Sequence, residues 1–166
     1  MAEITLRGNP IHTSGELPAV GSPAPAFTLT GGNLADVTAA DFAGKSVVLN
    51  IFPSIDTGVC QASVRAFNEK AGSRDDAVVL NVSADLPFAQ SRFCGAEGIE
   101  NVTTASGFRD SSFGTDFGIT MADGAFAGLL GRAVVVVGAD GNVVYSELVP
   151  EVGQEPNYDA ALAALG

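Results

Sequence analysis

The chain has no tryptophan, one histidine, two cysteines, and only eight lysines and arginines against nineteen aspartates and glutamates. Each scarcity closes off a class of function. Two lysines and six scattered arginines cannot form the cationic stripe that displaces phosphate counterions. Nucleic acid is therefore excluded as a direct ligand, and an anionic membrane surface is disfavoured. The net charge of -11 speaks for solubility and not for a partner. His12 stands alone, so a hydrolase triad lacks its base and a zinc site lacks its donors.

Long apolar runs are also missing. Nothing approaches the roughly 18–20 residues of a membrane span, and the best candidate, residues 133–137, reads as a buried strand. Met1-Ala-Glu-Ile-Thr has neither the basic start nor the apolar core of a secretory signal, so the expected location is the cytoplasm. The sequons at Asn81 and Asn101 are then chance matches. No Gly-x-Gly-x-x-Gly occurs. Gly44-Lys45-Ser46 ends like a phosphate-binding loop, but Ala39 replaces its first glycine and the tripeptide precedes a strand. No nucleotide, metal or other cofactor is implied. The absence of Cys-x-x-Cys disfavours a dithiol-exchange site, and a reducing cytoplasm disfavours a lasting disulfide.

What is present describes one α/β domain over residues 1–166. A chain of 166 residues with 46% hydrophobic composition buries enough surface to fold without staples. Residues 4–7 and 11–13, separated by Gly8-Asn9-Pro10, predict an N-terminal β-hairpin. Residues 21–26 lead as an extended connection into Phe27-Thr28-Leu29. Strands are predicted over 46–52, 77–82 and 102–104, and a hairpin joins 132–137 to 142–147. Helices are predicted over 60–72, 87–95, 111–117 and 157–165. Strands alternating with helices, then a late hairpin, argue a mixed sheet flanked by helices, compatible with a thioredoxin-type fold.

Cys60 draws attention by its position. The strand ending at Phe52 is broken by Pro53, and a loop brings Cys60 to the predicted start of a helix. Unpaired N–H groups and the positive end of the macrodipole favour a thiolate there. Thr57, three residues earlier, can turn its hydroxyl to the sulfur, whereas Asp56 opposes activation if it faces inward. Cys94, 34 residues later, lies near the end of the second helix. Either cysteine alone reads more readily as a small core residue. Together, two separated cysteines suggest an attacking and a resolving thiol.

The run Pro53-Ser-Ile-Asp-Thr57-Gly-Val-Cys60 fits the peroxiredoxin pattern of proline, three residues, threonine, two residues, cysteine. Extended from Asn50, and taken with residues 84–98, it resembles the bacterial thiol peroxidase branch, the atypical two-cysteine kind, along essentially the whole chain. The resemblance implies a thioredoxin-like fold with an added N-terminal hairpin, a homodimer, and reduction of hydroperoxides at the expense of thioredoxin. It implies Cys60 as the peroxidatic cysteine, Cys94 as its resolving partner in the same chain, and an intramolecular Cys60–Cys94 disulfide. Pro53 and Thr57 would shape the pocket, and Arg132 matches the active-site arginine. Gly131 stands where relatives carry alanine, and Ala125 where they often carry proline. A redox relay using the same Cys60 is the rival reading, and an internal resolver argues against it. A binding module without catalysis would leave Pro53, Thr57, Cys60 and Arg132 together by accident.

Overall fold

The structure is a computed structural model that describes residues 1–165. A two-stranded hairpin, β1 (Glu3–Leu6) and β2 (Asn9–His12), opens the chain as predicted. The main sheet runs in the order β4-β3-β7-β6-β5-β8-β9, with β3 at Thr28–Gly31, β4 at Asp36–Thr38, β5 at Ser46–Ile51 and β6 at Ala77–Ser83. The remaining strands are β7 at Thr103–Ser106, β8 at Ala133–Val137 and β9 at Val143–Leu148. Strands β5, β6 and β7 are parallel, while β8, β9, β3 and β4 each join antiparallel. The helices are α1 (Gly58–Ala71), α2 (Pro87–Glu97), α3 (Ser112–Asp116) and α4 (Tyr158–Ala163). This is the expected thioredoxin-like architecture with its extra hairpin.

The central strands are apolar on both faces because both faces are covered. Alternation divides them cleanly. Val47, Leu49 and Ile51 of β5 pack with Ala133 and Val135 of β8 and with Phe113 and Phe117. The intervening Val48 joins Val134, Val136 and Val79 against Phe67 of α1 and Ala161 of α4. Within β5 the buried polar step is Asn50, whose side-chain amide donates to Asn81 Oδ1 at 2.8 Å and Ser63 Oγ at 3.2 Å. Asn50 and Asn81 are direct partners in the parallel register.

Boundaries move in instructive ways. Helix α1 begins at Gly58, two residues before the predicted start, because Thr57 already takes the extended N-cap conformation. Helix α2 runs past Gly95 to Glu97 and is ended by Gly98, whose φ of +65° suits a residue without Cβ. Ile99 N–H then donates to Cys94 O at 2.9 Å and Gly98 N–H to Gly95 O, closing a Schellman turn. Strand β4 and the 3-10 turn Ala39–Phe42 were not expected; three and four residues carry too little periodicity to read.

Candidate active site

Register explains how distant residues meet. Parallel β5 and β6 point their C-terminal ends the same way, and the loop carrying Cys60 leaves from the end of β5. Antiparallel β8 places Ala133 opposite Ile51, so Arg132, one residue before β8, arrives beside that same loop. Leu148 of β9 in turn pairs with Ala133, which delivers residues 149–153 to the spot. The expectation for an arginine opening a strand is a solvated edge; here Arg132 is 3% exposed.

Cys60 is fully buried in the first turn of α1. Its Sγ lies 2.7 Å from Thr57 Oγ1 and 3.3 Å from Arg132 Nη2. The Thr57 hydroxyl also lies 3.0 Å from Ser54 O. With one proton it can donate to the backbone while accepting from a thiol, or donate to a sulfur anion. Because that hydroxyl is engaged, Thr57 gives no side-chain cap, and the first-turn N–H groups of α1 stay free of one. Arg132 Nε donates to Val152 O at 2.7 Å, and its buried Nη1 has no protein partner.

Pro53, Thr57, Val59, Phe126, Arg132 and Val152 are among the residues lining a cavity of about 180 Å³ over this cluster. Its walls are mostly hydrocarbon; of its polar groups, Thr57 and Arg132 reach the sulfur, while Arg7 and Glu151 also line it. Such a pocket takes a small molecule with one polar end and an apolar body. Asp56 faces away: its carboxylate pairs with Arg92 at 2.8 Å on the surface, so the inward orientation that would oppose a sulfur anion does not occur.

Cys94 sits three residues before the end of α2 and is half-buried. It packs on the apolar cluster of Phe52, Ile55, Cys60, Val64, Phe93 and Ile99. Burial pushes its thiol pKa up. Both cysteines are free thiols. The four residues Pro53, Thr57, Cys60 and Arg132 are thus brought together, while Cys94 borders the same cluster from another helix.

Two supports were not read from the sequence. Asp85 accepts hydrogen bonds from Ser54 Oγ at 2.8 Å, Ile55 N–H at 2.7 Å and Ser83 Oγ at 2.6 Å, tying the Cys60 loop to the end of β6. Glu151 accepts from Thr5 Oγ1, Gly8 N–H and Gly153 N–H, fixing the N-terminal hairpin to the segment whose Val152 carbonyl holds Arg132. Those backbone bonds, Gly153 first, hold the Glu151 carboxyl below its ordinary pKa. An aspartate before a proline-led helix was the only available hint for Asp85. Nothing local marks Glu151.

Comparisons with known proteins give the family. Residues 19–162 match the family model named Redoxin. The chain is 70% identical to the thiol peroxidases of Mycobacterium tuberculosis H37Rv and Mycobacterium bovis, over all of its own length and 99% of theirs. A peroxiredoxin-like protein from Aquifex aeolicus superposes with a TM-score of 0.93 at 36% identity, covering 99% of this chain and 96% of that one. Thiol peroxidase from Chromobacterium violaceum shares the fold with a TM-score of 0.87 at 19% identity, over 98% and 94% of the two chains. This chain belongs to the Redoxin family and, within it, to the thiol peroxidases, enzymes of the peroxiredoxin type.

Proposed function

We propose that Cys60 is the peroxidatic cysteine and Cys94 the resolving one of a cytoplasmic enzyme that reduces hydroperoxides with thioredoxin. The observation that carries this is the Cys60 sulfur held by Thr57 and Arg132 beneath a largely apolar cavity. The Cys60 thiolate attacks the distal peroxide oxygen, the O–O bond breaks, and the departing alkoxide takes a proton and leaves as alcohol. Cys60 becomes a sulfenic acid. The Cys94 thiolate then attacks that sulfur, the S–O bond breaks, an intramolecular disulfide forms, and the departing hydroxide takes a proton and leaves as water. A thioredoxin dithiol reduces the disulfide and completes the cycle.

Thiolate formation alone gains little. A thiolate loses intrinsic nucleophilicity as it becomes easier to form, so the two effects largely offset each other. The larger share falls to donors aimed at the peroxide oxygens as charge develops on them. Arg132, whose charge is permanent, and the Thr57 hydroxyl are placed for this, with the first-turn N–H of Cys60 beside them. Pro53 forms part of the cavity wall.

Organic hydroperoxides are preferred over hydrogen peroxide in this reading, because Leu6, Pro53, Val59, Phe126 and Val152 offer an alkyl body contacts that hydrogen peroxide cannot use. The working form is a homodimer, and neither nucleic acid nor membrane is a partner. The test is the intact mass of reduced protein after one equivalent of cumene hydroperoxide, beside Cys60→Ser. Loss of two hydrogens in the parent alone, mapped to Cys60 and Cys94, is the expected result. An unchanged parent mass would overturn the reading.

A further inference from the structure

Helix α2 is held at its two ends by different chemistry. Its first half is anchored inside: the Gln90 side-chain amide is buried and donates to Ser83 Oγ at 3.0 Å and Ala105 O at 2.9 Å. Asp85, just ahead of the helix, grips the Cys60 loop through three hydrogen bonds. The second half, which carries Cys94, has no such buried polar side-chain anchor among the described residues. Phe93 and Ile99 pack it on the apolar cluster, and two surface ion pairs hold it down. Arg92 reaches Asp56 at 2.8 Å in the Cys60 loop, and Glu97 pairs with Arg65 of α1, whose guanidinium also lies over the Phe93 ring.

Cys60 lies in the first turn of α1 and Cys94 near the end of α2, and in this form the two are separate free thiols. The Cys60 sulfur is turned to Thr57 and Arg132, and a disulfide demands Cβ atoms about 3.5–4.5 Å apart. Of the two halves of α2, the second is the weaker hold.

We propose that Arg65 and Arg92 are positioning residues for resolution: their ion pairs set the rate at which Cys94 leaves its packed place for the Cys60 sulfenic acid. This rests on the roles assigned above to the two cysteines. The ion pairs keep the packed helix in the majority, so the peroxide pocket stays assembled, and they delay the disulfide. In the step they control, the Cys94 thiolate forms the S–S bond, the Cys60 S–O bond breaks, and the departing hydroxide takes up the proton that Cys94 gave up and leaves as water. The same delay lets a second hydroperoxide oxidise the sulfenic acid to sulfinic acid. Both pairs are solvent-exposed, so salt weakens them.

The experiment is rapid-quench mass spectrometry of a single turnover with cumene hydroperoxide, following the sulfenic acid and the disulfide separately. Arg92→Gln and Glu97→Gln are each expected to speed disulfide formation about two- to fivefold, the range for an exposed pair. Sulfenic acid formation should stay at the parent rate, and sulfinic acid should build up less under excess peroxide. The exchanged pair Arg65→Glu with Glu97→Arg should return toward the parent rate. Raising salt should accelerate resolution in the parent and leave the variant lacking both pairs unmoved. Parent-like resolution rates in both single variants, insensitive to salt, would overturn the proposal while the assignment of the cysteines stood. A parent that forms no disulfide would overturn both.

Discussion

Arg132 is fastened to Val152 before it touches Cys60: Nε donates to the Val152 carbonyl at 2.7 Å, and this fixes the plane that sends Nη2 toward the sulfur. A planar fork holds its two donors apart in a fixed geometry that matches both partners, whereas an ammonium offers its three donors from a single point on a flexible stem.

Arg132→Lys is therefore expected to lower peroxide turnover by about 100- to 1000-fold, the usual effect of removing one fixed donor to developing oxyanion charge. Steady-state assay with cumene hydroperoxide checks this. Activity near the parent level would show that charge alone, without the fork, is enough.

Thr57→Val removes the hydroxyl shared by Cys60 Sγ and Ser54 O while keeping the branched shape. A hydrogen bond to a charged group is worth about 1.5–3 kcal/mol, so sulfenic acid formation should slow roughly 10- to 100-fold. Thr57→Ser should recover most of it. Single-turnover rates distinguish the two substitutions.

Asp85→Ala strands three donors of the loop and strand beneath the site. Chemical denaturation of the reduced protein should show a loss of about 1–3 kcal/mol. Peroxide reactivity should fall as well, because the loop from Ser54 to Thr57 loses its floor.

These three residues differ in how far the sequence exposed them. Thr57 and Cys60 lie three apart on one turn, so a local pattern suffices. Arg132 looks like an edge residue until the antiparallel pairing of Ile51 with Ala133 folds it inward. Asp85, Val152 and Glu151 act through contacts between segments far apart in the chain, and no spacing rule encodes those. For the fold, the doubly buried strands over 46–51, 77–83 and 133–137 were legible because β-branched runs of that length have few other uses. The edge strand Asp36–Thr38 was not, since its three residues are stabilised by Thr28–Thr30 across the sheet and not by their own character.

His12 provides a pH-dependent hold on the loop behind the cavity. Its ring hydrogen bond to Asp123, 2.8 Å long, raises its pKa, with Asp123 and Glu3 adding charge attraction. A raised pKa means that this stabilisation is full below about pH 6.5, the ordinary histidine value, and fades as pH climbs through the folded value. The same bond lowers the Asp123 pKa, so that contribution fades only in acid. Thermal melts of the parent and His12→Asn should accordingly differ more at pH 5.5 than at pH 8. A gap that widens with pH would contradict the sign.

Gly131 can be replaced. A Cβ there would meet Ile119 O at 3.4 Å and Leu148 Cδ1 at 3.7 Å, ordinary contact distances, and the backbone is not left-handed. Gly131→Ala should add about 0.4–1 kcal/mol of stability by restricting the unfolded chain, with unchanged turnover. Equilibrium denaturation beside a peroxidase assay checks both halves.

The 72-residue separation between Cys60 and Arg132 also has a meaning in time. Translation proceeds from the N-terminus at about 5–20 residues per second, so Cys60 is polymerised about 4–14 s before the arginine that faces it. The carbonyl that aims this arginine comes 20 residues later still. A growing chain thus carries its thiol beside Thr57 but without Arg132, and the proposed arrangement is complete only once Val152 has been made.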